Sequence, residues 1–204
     1  MSGKSTVARA IASHIGFTVI STDDLGIAAR AVTTSTSHSD LHAFAFNDHH
    51  EYFLTHGDLD LLSHAQQAHR ALWPAIRSVI QAHSAWAMPA VIEGWAILPD
   101  LVSQANFVGV SSVWLGTPEL ILESRVRGQP SFWSAASNPE LMIERFVGRS
   151  MGFASWLQSE TVRRGLSYVT LTGAESPEHV AEICLTEIEQ QIPDGGQSDE
   201  AIEV

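Results

Sequence analysis

Residues 2–6 read Ser-Gly-Lys-Ser-Thr, and this pentapeptide constrains the fold more than any other stretch of the chain. Gly3, Lys4 and Ser5 fit the last three positions of the phosphate-cradling pattern G-x-x-x-x-G-K-[ST]. Each residue type has a chemical reason. Gly3 lets backbone N–H groups approach phosphate oxygens with no Cβ in the way. Lys4 brings a point charge to the outer phosphates, and the Ser5 hydroxyl suits a magnesium ion. Ser2 and Thr6 flank these three and complete the candidate nucleotide-binding set. A helix beginning here would aim its positive dipole end at the same anions. The downstream pattern predicts that helix: Val7, Ile11 and Ile15 recur every four residues, and Gly16 is a natural stop.

The pattern is incomplete. Its first glycine would stand three residues before Met1, and the buried strand that normally feeds the loop would lie before that. Such a strand buries ~5 apolar side chains at ~1.5–3 kcal/mol each. The sum, of order 10 kcal/mol, rivals the ~5–15 kcal/mol net stability of a domain. The expectation is that the working protein extends upstream of Met1, and that the sheet of this chain has a gap where the strand belongs.

Composition narrows the class. In 204 residues there are 11 Lys plus Arg against 23 Asp plus Glu, a formal charge of −12. So acidic a chain is unsuited to binding a nucleic-acid backbone. The single cysteine, Cys184, excludes an internal disulfide framework and fits a reducing compartment. No run of 18 apolar residues and no secretory leader is present, so a cytoplasmic protein without membrane contact is expected.

Strands alternate with helices along the chain. Strands are predicted at 17–20, 90–93, 112–115 and 167–171, and helices at 25–32, 59–84, after Pro118, after Pro139 and from Pro177 to about 191. Pro74 should kink or split the long helix at 59–84. Residues 33–48 and 128–139 read as loops, and 193–204 as a disordered acidic tail. The alternation implies one α/β domain over residues 1–192 with a mostly parallel sheet.

With these segments in view, the chain resembles the P-loop small-molecule kinases, most closely the 2-phosphoglycerate kinase-like group. SGKST carries the resemblance first, then VISTDDLGIAAR at residues 19–30, then AVIEGWAILP at residues 90–99. A weaker match is the arginine-bearing helix that begins at Pro139. Ala96 stands where that group would carry histidine. The resemblance implies a three-layer P-loop fold, a parallel sheet with helices on both faces, lacking its first central strand here. It implies ATP and Mg²⁺ as cofactors, a small-molecule substrate, and transfer of a phosphoryl group to a hydroxyl or phosphate of that substrate.

It also implies roles. Asp23, at the tip of a strand, would accept the proton of the acceptor hydroxyl, with Asp24 as runner-up; either aspartate could instead cap the following helix. Lys4 would be the catalytic cation. Glu93 would join Ser5 in holding the metal, through water. Arg125, Arg127, Arg145 and Arg149 bracket the loop that begins at Gly128 and would form a lid over about 125–150, since guanidinium forks hold phosphate oxygens in two places. Surface pairing of these arginines with Glu123 or Glu144 is the plainer alternative.

Two rival readings remain. A nucleotide-binding module without transfer activity would suit the truncated loop. A metal-dependent hydrolase would need the cluster His38, His42, His49 and His50 beside Asp40, Asp48 and Glu51, although no H-E-x-x-H motif or cysteine supports it.

Overall fold

A computed structural model describes residues 3–43 and 49–191. Ser2, Asp48 and the acidic tail lie outside the described residues. Helix α1, Lys4–Ile15, starts from Gly3 and ends at Gly16, both left-handed, and buries Val7, Ala8, Ile11 and Ala12. The chain turns directly into strand β1, Thr18–Ser21, and then into helix α2, Thr22–Ala31. Ser21 caps α2: its side chain accepts from the N–H of Asp23 at 3.2 Å. The cap is therefore neither aspartate. Serine takes that place because its short hydroxyl bends back to the first free amide, which leaves the Asp23 carboxylate for other work.

After a 3₁₀ turn at Asp40–His42 and helix α3, His49–Thr55, comes α4, Asp58–Ala85. The expected break at Pro74 does not occur. Leu61, Ala65, Ala68, Leu72, Ile76 and Ile80 form one buried stripe on both sides of the proline, whose ring stays exposed. Each large side chain of that stripe contributes ~1.5–3 kcal/mol, and together they offset the ~3 kcal/mol penalty of an interior proline. Strand β2, Ala90–Glu93, is followed by α5, Pro99–Gln104, and strand β3, Val113–Gly116, by α6, Glu119–Arg127. The helix α7 runs from Pro139 to Arg164, strand β4 spans Ser167–Thr170, and α8 spans Pro177–Glu189.

The strands form two parallel pairs. β1 pairs with β2 in a register that sets Ser21 opposite Glu93. β3 pairs with β4, Gly116 opposite Thr170. Among the described residues no ladder joins β2 to β3, so the order is β1-β2 and, separately, β3-β4. The two pairs still share one helical layer. Val91 of β2, Val113 and Leu115 of β3, and Val169 of β4 all pack on the cluster that α1 and α8 build from Val7, Ile11, Val180 and Cys184. The fold is thus mixed α/β, with two separate parallel strand pairs among the described residues.

Two further clusters complete the core. Leu72, Ile76 and Ile80 of α4 pack with Leu41 and Ala96. Ala96 is only 2% exposed, so a histidine there would have to displace this packing. The segment expected to be a loop at 128–139 contains a 3₁₀ turn at Pro130–Phe132, and its Trp133 and Ala136 are buried with α3, α6 and α7. No helix of the described residues is long and apolar enough to cross a membrane.

Candidate functional site

Gly3 has φ 91° and ψ −3°, a left-handed conformation that an L side chain rarely adopts. Its carbonyl accepts the N–H groups of Thr6 and Val7 at 3.0 and 3.1 Å, which closes the first turn of α1. The site is crowded from above as well: a Cβ at Gly3 would stand 3.2 Å from Nη1 of Arg125. The backbone conformation therefore favours glycine, and a side chain there would also have to push the Arg125 guanidinium aside. Arg125 is brought over this turn by the last turn of α6.

Lys4 and Ser5 converge on Glu93. The Ser5 hydroxyl donates to Oε1 of Glu93 at 3.0 Å, and Lys4 Nζ lies 3.5 Å from Oε2. Oε2 is buried and accepts no hydrogen bond. A carboxylate with a serine hydroxyl on one oxygen and a second, buried oxygen left without a hydrogen bond could serve a hard cation and its water, because magnesium prefers oxygen donors and keeps several waters. Thr6 is exposed on α1. Trp95, two residues past Glu93, lies under Lys4, with Nζ 5.8 Å from the ring centroid. The turn between them is tight: Gly94 has φ 148°, and a Cβ there would fall on the Thr22 side chain.

Beside this cluster, α2, α4, α7 and the turn after β2 enclose a cavity of about 370 Å³. Asp23 lines it and Asp24 does not. Arg30, His69, Trp95 and Arg149 also line it. Phe153 packs against both His69 and Trp95, with ring centroids 5.3 and 5.4 Å away. The His69 ring is held neutral: burial, then the charges of Arg149 and Lys4, push its pKa down to about 3. Its Nδ1 is buried, with no hydrogen-bond partner among the described residues.

The four arginines expected in a lid divide into two groups. Arg125 overlies Gly3, and Arg149 lines the cavity. Arg127 instead pairs with Glu123 and Glu140, both at 2.9 Å, and Arg145 pairs with Asp58 at 3.0 Å. Arg127 and Asp58 line a different, acidic cleft. Arg145 and Arg149 are four residues apart, but α7 passes between two partners, so one residue of that spacing meets Asp58 and the other the cavity.

The histidines do not assemble into a metal centre among the described residues. His42 bonds Thr33 at 2.9 Å and His38 bonds Ser37 at 2.9 Å, each as a local loop contact. His69 belongs to none of the sequence motifs. Its signal was present in the spacing Ala65, Ala68, Leu72, which places residue 69 on the buried side of α4. Neither a family model nor a curated protein nor a solved structure matches this chain.

Proposed function

We propose that this chain is an ATP-dependent phosphotransferase of the P-loop small-molecule kinase type. The observation that carries the reading is the convergence of Lys4 and Ser5, at the start of α1, on the Glu93 carboxylate at the end of a parallel strand. Helix N-termini at the carboxyl ends of parallel strands are where anionic ligands bind in α/β proteins. In this reading β1-β2 and β3-β4 are the two flanks of one sheet. A central strand then belongs between β2 and β3, with α1 and α8 on one face and α5 and α7 on the other.

At the Gly3 turn the β- and γ-phosphates would lie against the first free N–H groups of α1, with the Arg125 guanidinium beside them. Lys4 moves from Glu93 to the transferred group and follows its charge. Ser5 and Glu93 fit a magnesium ion, which when bound neutralises charge between the outer phosphates. Arg125 closes over the turn from α6. The acceptor enters the neighbouring cavity, where Asp23 takes the proton of its hydroxyl as that oxygen bonds the γ-phosphorus and the bond to the β-phosphate oxygen breaks. Trp95 and Phe153 line the same cavity, and their apolar rings would limit transfer to water.

A thermal-shift panel of small hydroxylated metabolites with Mg·ADP, followed by ADP release with those that shift the protein, tests the reading. Wild type should bind Mg·ADP and turn over at least one acceptor, and Lys4→Ala should lose ~10²-fold or more in turnover. Full turnover in Lys4→Ala would end it. The two separate strand pairs favour one alternative, a nucleotide-binding module without transfer. Nucleotide binding with no turnover of any acceptor would decide for that.

A further inference from the structure

Leu59, Leu120 and Val162 are exposed apolar side chains that stand one to a helix. At the end of the molecule where β1 and β2 begin, such side chains gather. Trp86 and Met88 follow α4 and are 64% and 59% exposed, and Val108, in the turn before β3, is 86% exposed. Local contacts place them together. The Ser84 hydroxyl donates to the Val108 carbonyl at 3.3 Å, and His83 Nδ1 donates to the Met88 carbonyl at 2.6 Å. The His83 ring also stands 5.9 Å from the Trp86 ring. The β1-β2 register sets Thr18 opposite Ala90, which brings exposed Phe17 beside the chain at Pro89.

The two turns that carry these side chains have defined shapes. Ala87, between Trp86 and Met88, has φ 50°, and Asn106 has φ 46°, left-handed conformations in residues other than glycine. Phe107 anchors the second turn: it packs with the α4 cluster, its ring 6.2 Å from that of Trp73, while its neighbour Val108 stays outside.

Charge is absent from the same place. Residues 10–22, 78–92 and 101–118 supply this surface and contain no Asp, Glu, Lys or Arg, in a chain with 17% charged residues. Charge returns at the rim. There α8 ends in Glu187 and Glu189 beside Gln191, which bonds Ser112, and Arg164 of α7 donates to Ser103 at 3.2 Å. An apolar centre holding an aromatic ring and a methionine within a polar rim is the anatomy of a protein–protein interface.

We infer that this end of the molecule docks a second copy of the chain, the two packing end to end about a twofold axis. Charge decides the occupant. At a formal charge of −12, copies repel one another across their acidic faces, and the repulsion is least where uncharged segments meet. A basic partner would be drawn instead to the cleft lined by Glu119, Glu123, Glu140 and Glu144. A twofold axis sets one patch against itself, and an apolar patch is complementary to itself where a charged one is not. The inference does not depend on the phosphotransfer reading, since Ser5 and Glu93 meet at the other end of β2.

The test combines sedimentation with thiol labelling of the full chain. Val108→Cys adds an exposed thiol, and the native Cys184 is buried, so the introduced thiol alone reports. Wild type and Val108→Cys should pass from monomer to dimer as concentration rises, and labelling of the introduced thiol should slow severalfold over the same range. Added salt should strengthen the dimer by screening the repulsion between two acidic chains. Trp86→Glu and Met88→Glu each change an exposed side chain. Both should keep the thermal midpoint and stay monomeric where wild type is dimeric. Leu120→Glu, exposed on α6, should dimerise as wild type does.

A monomer at every concentration would overturn the inference. So would a dimer in which the introduced thiol stays fully reactive, because another face would then be buried. Protection that does not change on dilution would assign the surface to another segment of the same chain, against a second copy. A dimer that salt dissociates would place the contact at charged residues and overturn it as well.

Discussion

The hydroxyl of Ser5 donates to the carboxylate of Glu93 at 3.0 Å across 88 residues of chain. The bond joins the first turn of α1 to the end of β2 and holds both metal-ligand candidates in one place before any ion arrives. Ser5→Ala removes a hydroxyl and leaves Glu93 with Lys4. The expected result is unchanged folding, unchanged affinity for ADP without metal, and a loss of roughly tenfold in the gain that Mg²⁺ brings. Nucleotide titrations with and without Mg²⁺ check it; an equal metal effect in both proteins would remove Ser5 from the proposed metal site.

Asp23 is left out of the α2 cap by Ser21 and lines the cavity as an exposed residue. Asp23→Asn should bind Mg·ATP as wild type does and turn over the acceptor ~10²-fold or more slowly, the ordinary scale for a general base. Asp24→Asn should change turnover little. If the two variants behave alike, the proton goes elsewhere.

His69 predicts a pH dependence of stability. Its folded pKa, about 3, lies below its ordinary 6.5, so the folded state disfavours the proton. The stabilising effect of keeping the ring neutral is present above pH 6.5 and is lost as pH falls from there toward 3. The loss approaches about 1.4 kcal/mol per pH unit while the unfolded ring is charged and the folded one is not. Urea midpoints at pH 7, 6 and 5 should fall more steeply for wild type than for His69→Phe. Parallel slopes would mean that water reaches the ring.

Gly94 passes so close to Thr22 that no side chain fits, and its φ of 148° suits only glycine. Gly94→Ala should cost about 2–6 kcal/mol from overpacking and backbone strain together. Thr22→Ala in the same chain should return part of it. Denaturant melts of the three proteins measure both effects, and a stable single variant would show that the turn relaxes.

Arg127 and Arg145 should matter little. Both pairs are at the surface, where an ion pair contributes ~0–1 kcal/mol. Arg127→Ala and Arg145→Ala are expected to keep turnover within about twofold, while Arg125→Ala lowers affinity for Mg·ATP severalfold. Equal losses in all three would restore the single four-arginine lid.

Much of this was readable along the chain because it is local. The start of α1 at Gly3 and its stop at Gly16 follow from two left-handed backbone positions that favour glycine. The four strands and the helices after Pro118, Pro139 and Ser176 follow from short-range periodicity and capping chemistry. Asp23 and Glu93 were legible too, since both sit where a strand of apolar residues gives way to charge.

Partner choice lay beyond that reach, because it depends on residues far apart in sequence competing for the same space. The spacing of Arg145 and Arg149 says they share a helix face, but only packing decides that Asp58 takes one and the rings of Phe53 and Phe146 hold the other. Pro74 signals a break by its own chemistry, and the buried stripe of α4, invisible to any single residue, overrides it. His69 is one polar residue among many on a long helix until Phe153 of α7 packs on it and its Nδ1 is buried, beside the Arg149 charge. Local propensity is additive along the chain, whereas burial and charge pairing are settled only when distant surfaces exclude water together.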